Sequence, residues 1–107
     1  MIPLKSYMKS TYKLIWTEEA LNNLKSIITY IERNWSDMEI SKFANKLDHR
    51  LNLITQNPRL FPKVNKSEVR KAVLLKQVSI FYVLARLEIR ILFIFDNRQN
   101  PEKLKLS

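Results

Sequence analysis

The sequence predicts an α+β domain in which a helical hairpin packs on a mostly antiparallel four-stranded sheet, in the order β-α-α-β-β-β. Three observations predict it. Two consecutive segments, about 18–34 and from Ser36 to Asn57, carry apolar residues at spacings of three and four, the period of an amphipathic helix. Three later segments, 69–75, 78–85 and 88–95, are rich in β-branched and aromatic residues and are separated by two-residue breaks. A short β-prone segment, about 11–17, precedes the helices.

Each element has local signals. Tyr12, Ile15 and Trp16 give the first strand its β character. Thr17 is suited to cap the first helix, and Glu18 and Glu19 place negative charge in its first turn, where the helix dipole favours it. Ala20, Leu24, Ile27, Ile28, Ile31 and Trp35 form its apolar stripe. Ser36 and Glu39 make a capping box for the second helix, with Trp35 and Ile40 placed as a hydrophobic staple. Its stripe is Ile40, Phe43, Ala44, Leu47, Leu51 and Ile54. Asn57-Pro58 ends it, because a residue before proline avoids the helical region. The tight junction predicts an antiparallel helical hairpin.

PRLFPKVNKS, residues 58–67, reads as a loop anchored by Leu60 and Phe61. The breaks Lys76-Gln77 and Arg86-Leu87 contain neither Gly nor Asn, so longer loops or bulges are expected rather than tight two-residue turns. The last strand is apolar on both faces from Ile91 to Phe95, which suits a central position. Strand alternation groups Tyr82 with Val78, Ile80 and Leu84, as core. Asp96-Asn97 and Asn100-Pro101 end the final strand. Residues 1–10 are a lead-in, within which Met8 is an alternative start, and residues 11–107 form a single domain.

Composition narrows the chemistry. The 107 residues are 46% hydrophobic, enough to fill a core. No apolar run is long enough to span a membrane, and no secretory signal is visible. With no cysteine, disulfides, thiolate metal sites and a Cys nucleophile are excluded, which fits a cytoplasmic protein. With no glycine, no phosphate-binding Gly-rich loop can form. His49 is the sole histidine, so no multi-His metal site can be built; it lies about 200° from Leu47 on the helical wheel and faces solvent. Neither a cofactor nor a metal is expected. Nineteen Lys+Arg against ten Asp+Glu give a net charge of +9, which points to a polyanionic or acidic partner.

In order along the chain, YKLIWTEEALNNLKSIITYIERNW, FANKLDHRLNLITQNPRLFP, VRKAVL, VSIFYVL and IRILFIFDNRQNP resemble the RelE/ParE superfamily of type II toxin–antitoxin toxins. The resemblance runs from Tyr12 to Leu104, and the long helical hairpin is closer to ParE than to RelE. It implies a toxin of a plasmid-stabilisation or addiction system that arrests growth in the cytoplasm. A cognate antitoxin, often acidic in its toxin-binding segment, would neutralise it. ParE-type members inhibit DNA gyrase. RelE-type members are metal-independent endoribonucleases that cleave mRNA on the ribosome.

The resemblance also implies where the working residues lie. Arg70 matches the arginine that contacts the phosphate in ribonuclease members, and Arg98 falls where many members place a functional residue. These two are the candidate catalytic residues if the chain cleaves RNA. Lys63, Lys66, Lys71, Arg70 and Arg98 are the candidate target-binding set. Ribosome-dependent members usually carry a Tyr or His-Tyr near the C-terminus as acid or base. Here the tail EKLKLS has neither, which favours the gyrase-binding reading. A stand-alone nucleic-acid-binding module is a third reading, supported by the basic charge alone.

Overall fold

A computed structural model describes residues 12–96. It contains strand β1 (Lys13–Trp16), helices α1 (Glu18–Asn34) and α2 (Asp37–Gln56), and strands β2 (Arg70–Leu75), β3 (Val78–Ala85) and β4 (Glu88–Asp96). The sheet order is β1-β4-β3-β2. The three later strands form an antiparallel meander, and β1 joins parallel to β4, with Lys13 opposite Glu88 and Trp16 opposite Ile91. The strand that is apolar on both faces is therefore central, as its composition requires. Among the described residues no helix is long and apolar enough to cross a membrane.

Both helix starts follow from their caps. Thr17 Oγ1 accepts from Ala20 N at 3.1 Å. Ser36 and Glu39 close the reciprocal capping box. The apolar stripes then face one core. Ala20, Ile27 and Ile31 from α1, and Phe43, Leu47, Leu51 and Ile54 from α2, are buried against Ala72, Leu74, Val78, Ile80, Tyr82, Ile89, Ile91 and Ile94 of the sheet. Each such Ile, Leu or Phe contributes about 1.5–3 kcal/mol. Tyr30 also packs against this core. On the other face of the sheet the Phe81 ring stacks on Phe93, with centroids 4.7 Å apart.

Two expectations are corrected. Leu60 does not anchor its loop: it is 53% exposed, and Phe61 alone packs against the core. The hairpin connections are also tighter than their composition suggested. Ala85 pairs directly with Glu88 across a two-residue turn, and Arg86 reaches it at φ 56°. The left-handed conformation costs a non-glycine residue about 1–2 kcal/mol, which the flanking ladder offsets. The β2–β3 turn also spans two residues, Leu75 to Val78, but here the expected bulge is present, between Val73 and Leu75.

A second bulge lies inside β4. Phe81 pairs with Phe93 and Tyr82 with Ile91, so Leu92 is the extra residue. β1 ends level with Ile91, which leaves the next turn of β4's edge without a strand neighbour among the described residues. Helix α1 fills that role with side chains. Thr17 Oγ1 donates to Ile91 O (2.9 Å) and Leu92 O (2.7 Å), and Asn23 Oδ1 accepts from Ile94 N at 3.0 Å. Thr17 thus starts a helix and closes a sheet edge with one hydroxyl.

Candidate functional site

The loop after α2 is held in one shape. The Tyr82 hydroxyl donates to Pro58 O at 2.7 Å in a buried bond. Arg70 pairs with Tyr82 across β2 and β3, so both side chains point to the helix side of the sheet. One amino group of Arg70 donates to Phe61 O at 2.6 Å and Arg59 O at 3.3 Å. Backbone bonds from Lys71 N to Pro62 O (3.0 Å) and from Val64 N to Val69 O (2.7 Å) finish the attachment. The result is a rigid loop that carries Arg59 and Leu60 outward.

Burial pushes the Tyr82 phenol up to about 12, and the positive charge of Arg70 offsets only part of that effect. The phenol is therefore a poor base at neutral pH, and its proton is committed to Pro58. The sign of the linkage sets a testable pH dependence. Below pH 10 the phenol is protonated in both states. Between pH 10 and about 12 the unfolded chain has lost the proton and the folded chain has kept it, so stability falls as pH rises. The full loss is about 2–3 kcal/mol at roughly 1.4 kcal/mol per unit. Urea unfolding of the wild type and Tyr82→Phe from pH 9 to 12 checks this: the variant is expected to lose stability less steeply over that range. Parallel curves would refute the assignment.

The residues singled out in the sequence do not converge on one point. Arg70 is half-buried beneath the loop. Lys63 bridges to Arg70 and so lies beside it, and its ammonium pairs with Glu68 at 3.2 Å. That exposed pair is worth about 0–1 kcal/mol. Lys66 is exposed, next to Asn65, which has φ 52°. Lys71 points to the other face of the sheet from Arg70. Arg98 lies outside the described residues. His49 is exposed on α2, beside Asn45, Lys46 and Arg50.

Sequence reasoning missed a basic row on α2. Lys42, Lys46 and Arg50 recur every four residues, the spacing that puts them on one helix face beside the apolar stripe. Lys46 and Arg50 border an open trough of about 600 Å³ between α2 and β2, completed by Phe61, Lys71, Val73 and Lys76 among others. The Arg50 guanidinium lies 5.8 Å from the Phe61 ring centroid, within cation–π range. Its Nε is buried and has no hydrogen-bond partner among the described residues. This arrangement suits binding of negative charge. Among the described residues no group of three or more His, Cys, Asp or Glu is placed to hold a metal ion.

Comparison with known proteins identifies the family. The family described as the ParE toxin of type II toxin–antitoxin systems, parDE, matches residues 14–101. No curated protein matches the chain significantly. Among solved structures, a chain of the chromosomal ParDE system from P. aeruginosa is similar at 19% identity, with TM-score 0.68, over 80% of this chain and 96% of that one. The E. coli DinJ–YafQ toxin–antitoxin complex gives a match at 14% identity, with TM-score 0.59, over 84% and 97%. A copper-bound mutant toxin from Helicobacter pylori gives one at 13% identity, with TM-score 0.55, over 83% and 98%. The structural likenesses carry the fold, and the sequence match from β1 past the end of β4 carries the kinship: this chain belongs to the ParE toxin family of type II toxin–antitoxin systems.

Proposed function

We propose that this chain arrests bacterial growth by binding and inhibiting DNA gyrase, and that a cognate antitoxin with an acidic toxin-binding segment holds it inactive. The observation that carries this reading is the ParE family match over residues 14–101. The site chemistry supports binding over RNA cleavage. Cleavage by the 2′-hydroxyl needs a base and an acid flanking the phosphate. Among the described residues Tyr82 is buried with its pKa raised to about 12, and His49 is exposed on α2, lining a depression with Asn45, Lys46 and Arg50. Lys63, Lys66, Lys71 and Arg98 serve as target contacts in this reading, and Arg70 acts by fixing the loop that presents Arg59 and Leu60.

Induced expression of the chain alone is expected to stop growth, and co-expression of the product of the adjacent small reading frame is expected to restore it. The purified protein is expected to block gyrase supercoiling and leave ribosome-bound mRNA intact. Unimpaired growth with soluble protein at confirmed levels would remove the toxin reading. mRNA cut at the ribosomal A site, with gyrase untouched, would replace gyrase inhibition with endoribonuclease activity.

A further inference from the structure

The exposed pairs Arg59-Leu60 and Arg86-Leu87 come together at one end of the sheet. Leu60 is 53% exposed and Leu87 58%. Arg59 and Arg86 are exposed beside them. The start of β1 joins the two pairs. Arg59 Nη1 donates to the Tyr12 hydroxyl at 3.4 Å, and the next residue, Lys13, donates its backbone N–H to Leu87 O at 2.7 Å. Both tips are held still. At Arg86-Leu87 the ladder closes directly, with Ala85 opposite Glu88. In the loop after α2 the carbonyls are spoken for one after another. Asn57 O accepts from Leu60 N, Pro58 O from Tyr82, Arg59 O and Phe61 O from Arg70, and Pro62 O from Lys71 N. Pro58 and Pro62 fix φ at two of those residues.

Surface loops are ordinarily mobile and bonded to water. This one has its backbone bonded inward and an apolar side chain facing out. The exposed part of Leu60 contributes nothing to the core, and neither does that of Leu87. Side chains ordered in advance lower the entropy lost on association, so such a mount favours recognition. Charge selects the kind of partner. Lys13, Arg59 and Arg86 make the face basic, while the neighbouring acids Glu68 and Glu88 are already paired with Lys63 and Arg90. We propose that this end of the sheet is the contact face for the protein that the toxin inhibits, and that the partner offers an apolar surface ringed by carboxylates. The naming of that protein as gyrase rests on the reading above; its surface chemistry rests on this face. Leu60 and Leu87 would be buried against the partner, and Arg59 and Arg86 would meet acids at the rim.

Other occupants fit less well. A nucleic acid would use the cations and leave both leucines in water. Residues 1–11, which lead into Tyr12, contain Lys5 and Lys9 and no acid, so they share the sign of the face. Residues 97–107 follow Asp96, which lies opposite Val78 at the other end of the sheet from Glu88 and Ala85.

The test measures inhibition of gyrase supercoiling by the purified full chain, with growth arrest read in parallel. Leu60→Glu with Leu87→Glu is expected to raise the amount needed for half-inhibition by about tenfold or more and to weaken growth arrest. Met38→Glu, at an exposed apolar residue in the first turn of α2 and so at its far end from the loop, is expected to change neither. Thermal melts check the fold, and Leu60→Ala with Leu87→Ala decides the matter if the glutamates unfold the chain. A folded double variant as potent as the wild type overturns the proposal. So does a wild-type dimer that the double variant dissociates, which gives the face to a second copy. So does binding of a DNA duplex that Arg59→Ala abolishes and the leucine changes leave intact. Resistance of Arg59 and Arg86 to phenylglyoxal in the isolated monomer gives the face to the chain's own terminal segment and also overturns it. A wild type that arrests growth without touching gyrase ends the gyrase reading alone, and growth arrest by the double variant then decides the face. A wild type that does neither overturns both.

Discussion

Replacing Thr17 with valine is expected to lower the stability of the fold by about 2–3 kcal/mol, with no change in the apolar core. Valine keeps the β-branched shape and removes only the hydroxyl. Losing the helix cap to Ala20 N costs about 1 kcal/mol. The same oxygen also donates to the carbonyls of Ile91 and Leu92 at the β4 bulge. Leaving a half-buried carbonyl without a donor adds about 1–2 kcal/mol. For a chain of this size each kcal/mol lowers Tm by about 4–8 °C, so the fall is expected to be about 10 °C or more on that scale. Thr17→Ser retains the hydroxyl and is expected to recover most of it. A thermal melt of the valine variant superimposable on the wild type would show that the bulge does not depend on this contact.

Replacing Arg70 with alanine is expected to loosen the loop from Pro58 to Val64 and to reduce growth arrest by about tenfold or more. Hydrogen bonds from a charged donor contribute about 1.5–3 kcal/mol, and here one amino group holds two loop carbonyls. The side chain also occupies the space between the loop and Tyr82. Faster amide exchange at Leu60 and Val64 together with weakened toxicity is the expected pair of results. Arg70→Lys is expected to restore order only partly, because the lysine ammonium ends one bond short of the Arg70 amino group that reaches both carbonyls. Lost toxicity with the loop as protected as in the wild type would mean that Arg70 touches the target directly.

How much of this was readable beforehand depended on how local the cause was. The caps at Thr17 and Ser36, the helix end at Asn57 and the burial of Tyr82 each follow from a few neighbouring residues, and the structure places them where the sequence does. The turn at Arg86 did not follow, because its tightness comes from the ladder joining Ala85 to Glu88 and overrides the residue's own preference. Asn23 carries no local signal of its role, because the backbone N–H that donates to it belongs to Ile94 of β4, 71 residues away. The trough was hidden for the same reason. Lys42, Lys46 and Arg50 form a regular row on α2, but a row of cations on a helix usually faces water. Only the approach of β2 and Phe61 turns it into a lined groove. Leu60 was misplaced because hydrophobicity alone does not say which of two adjacent apolar residues a loop will bury.

The parallel pairing of β1 with β4 has a consequence for how the chain is made. Among the described strands, β4, which lies between β1 and β3, is the last to be synthesised, and the first strand waits for it. Until residue 96 has left the ribosome, β1 has no partner in the sheet and the edge of β3 that β4 will cover stays open. Helix α1, whose main packing surface is β4, has only α2 to settle on. Folding is therefore deferred until β4 has been made, since domains form as units once their long-range contacts are available. A message cut short before β4 would yield no partly active fragment. For a member of a toxin family, the order of synthesis thus ties the whole fold to a single strand, β4.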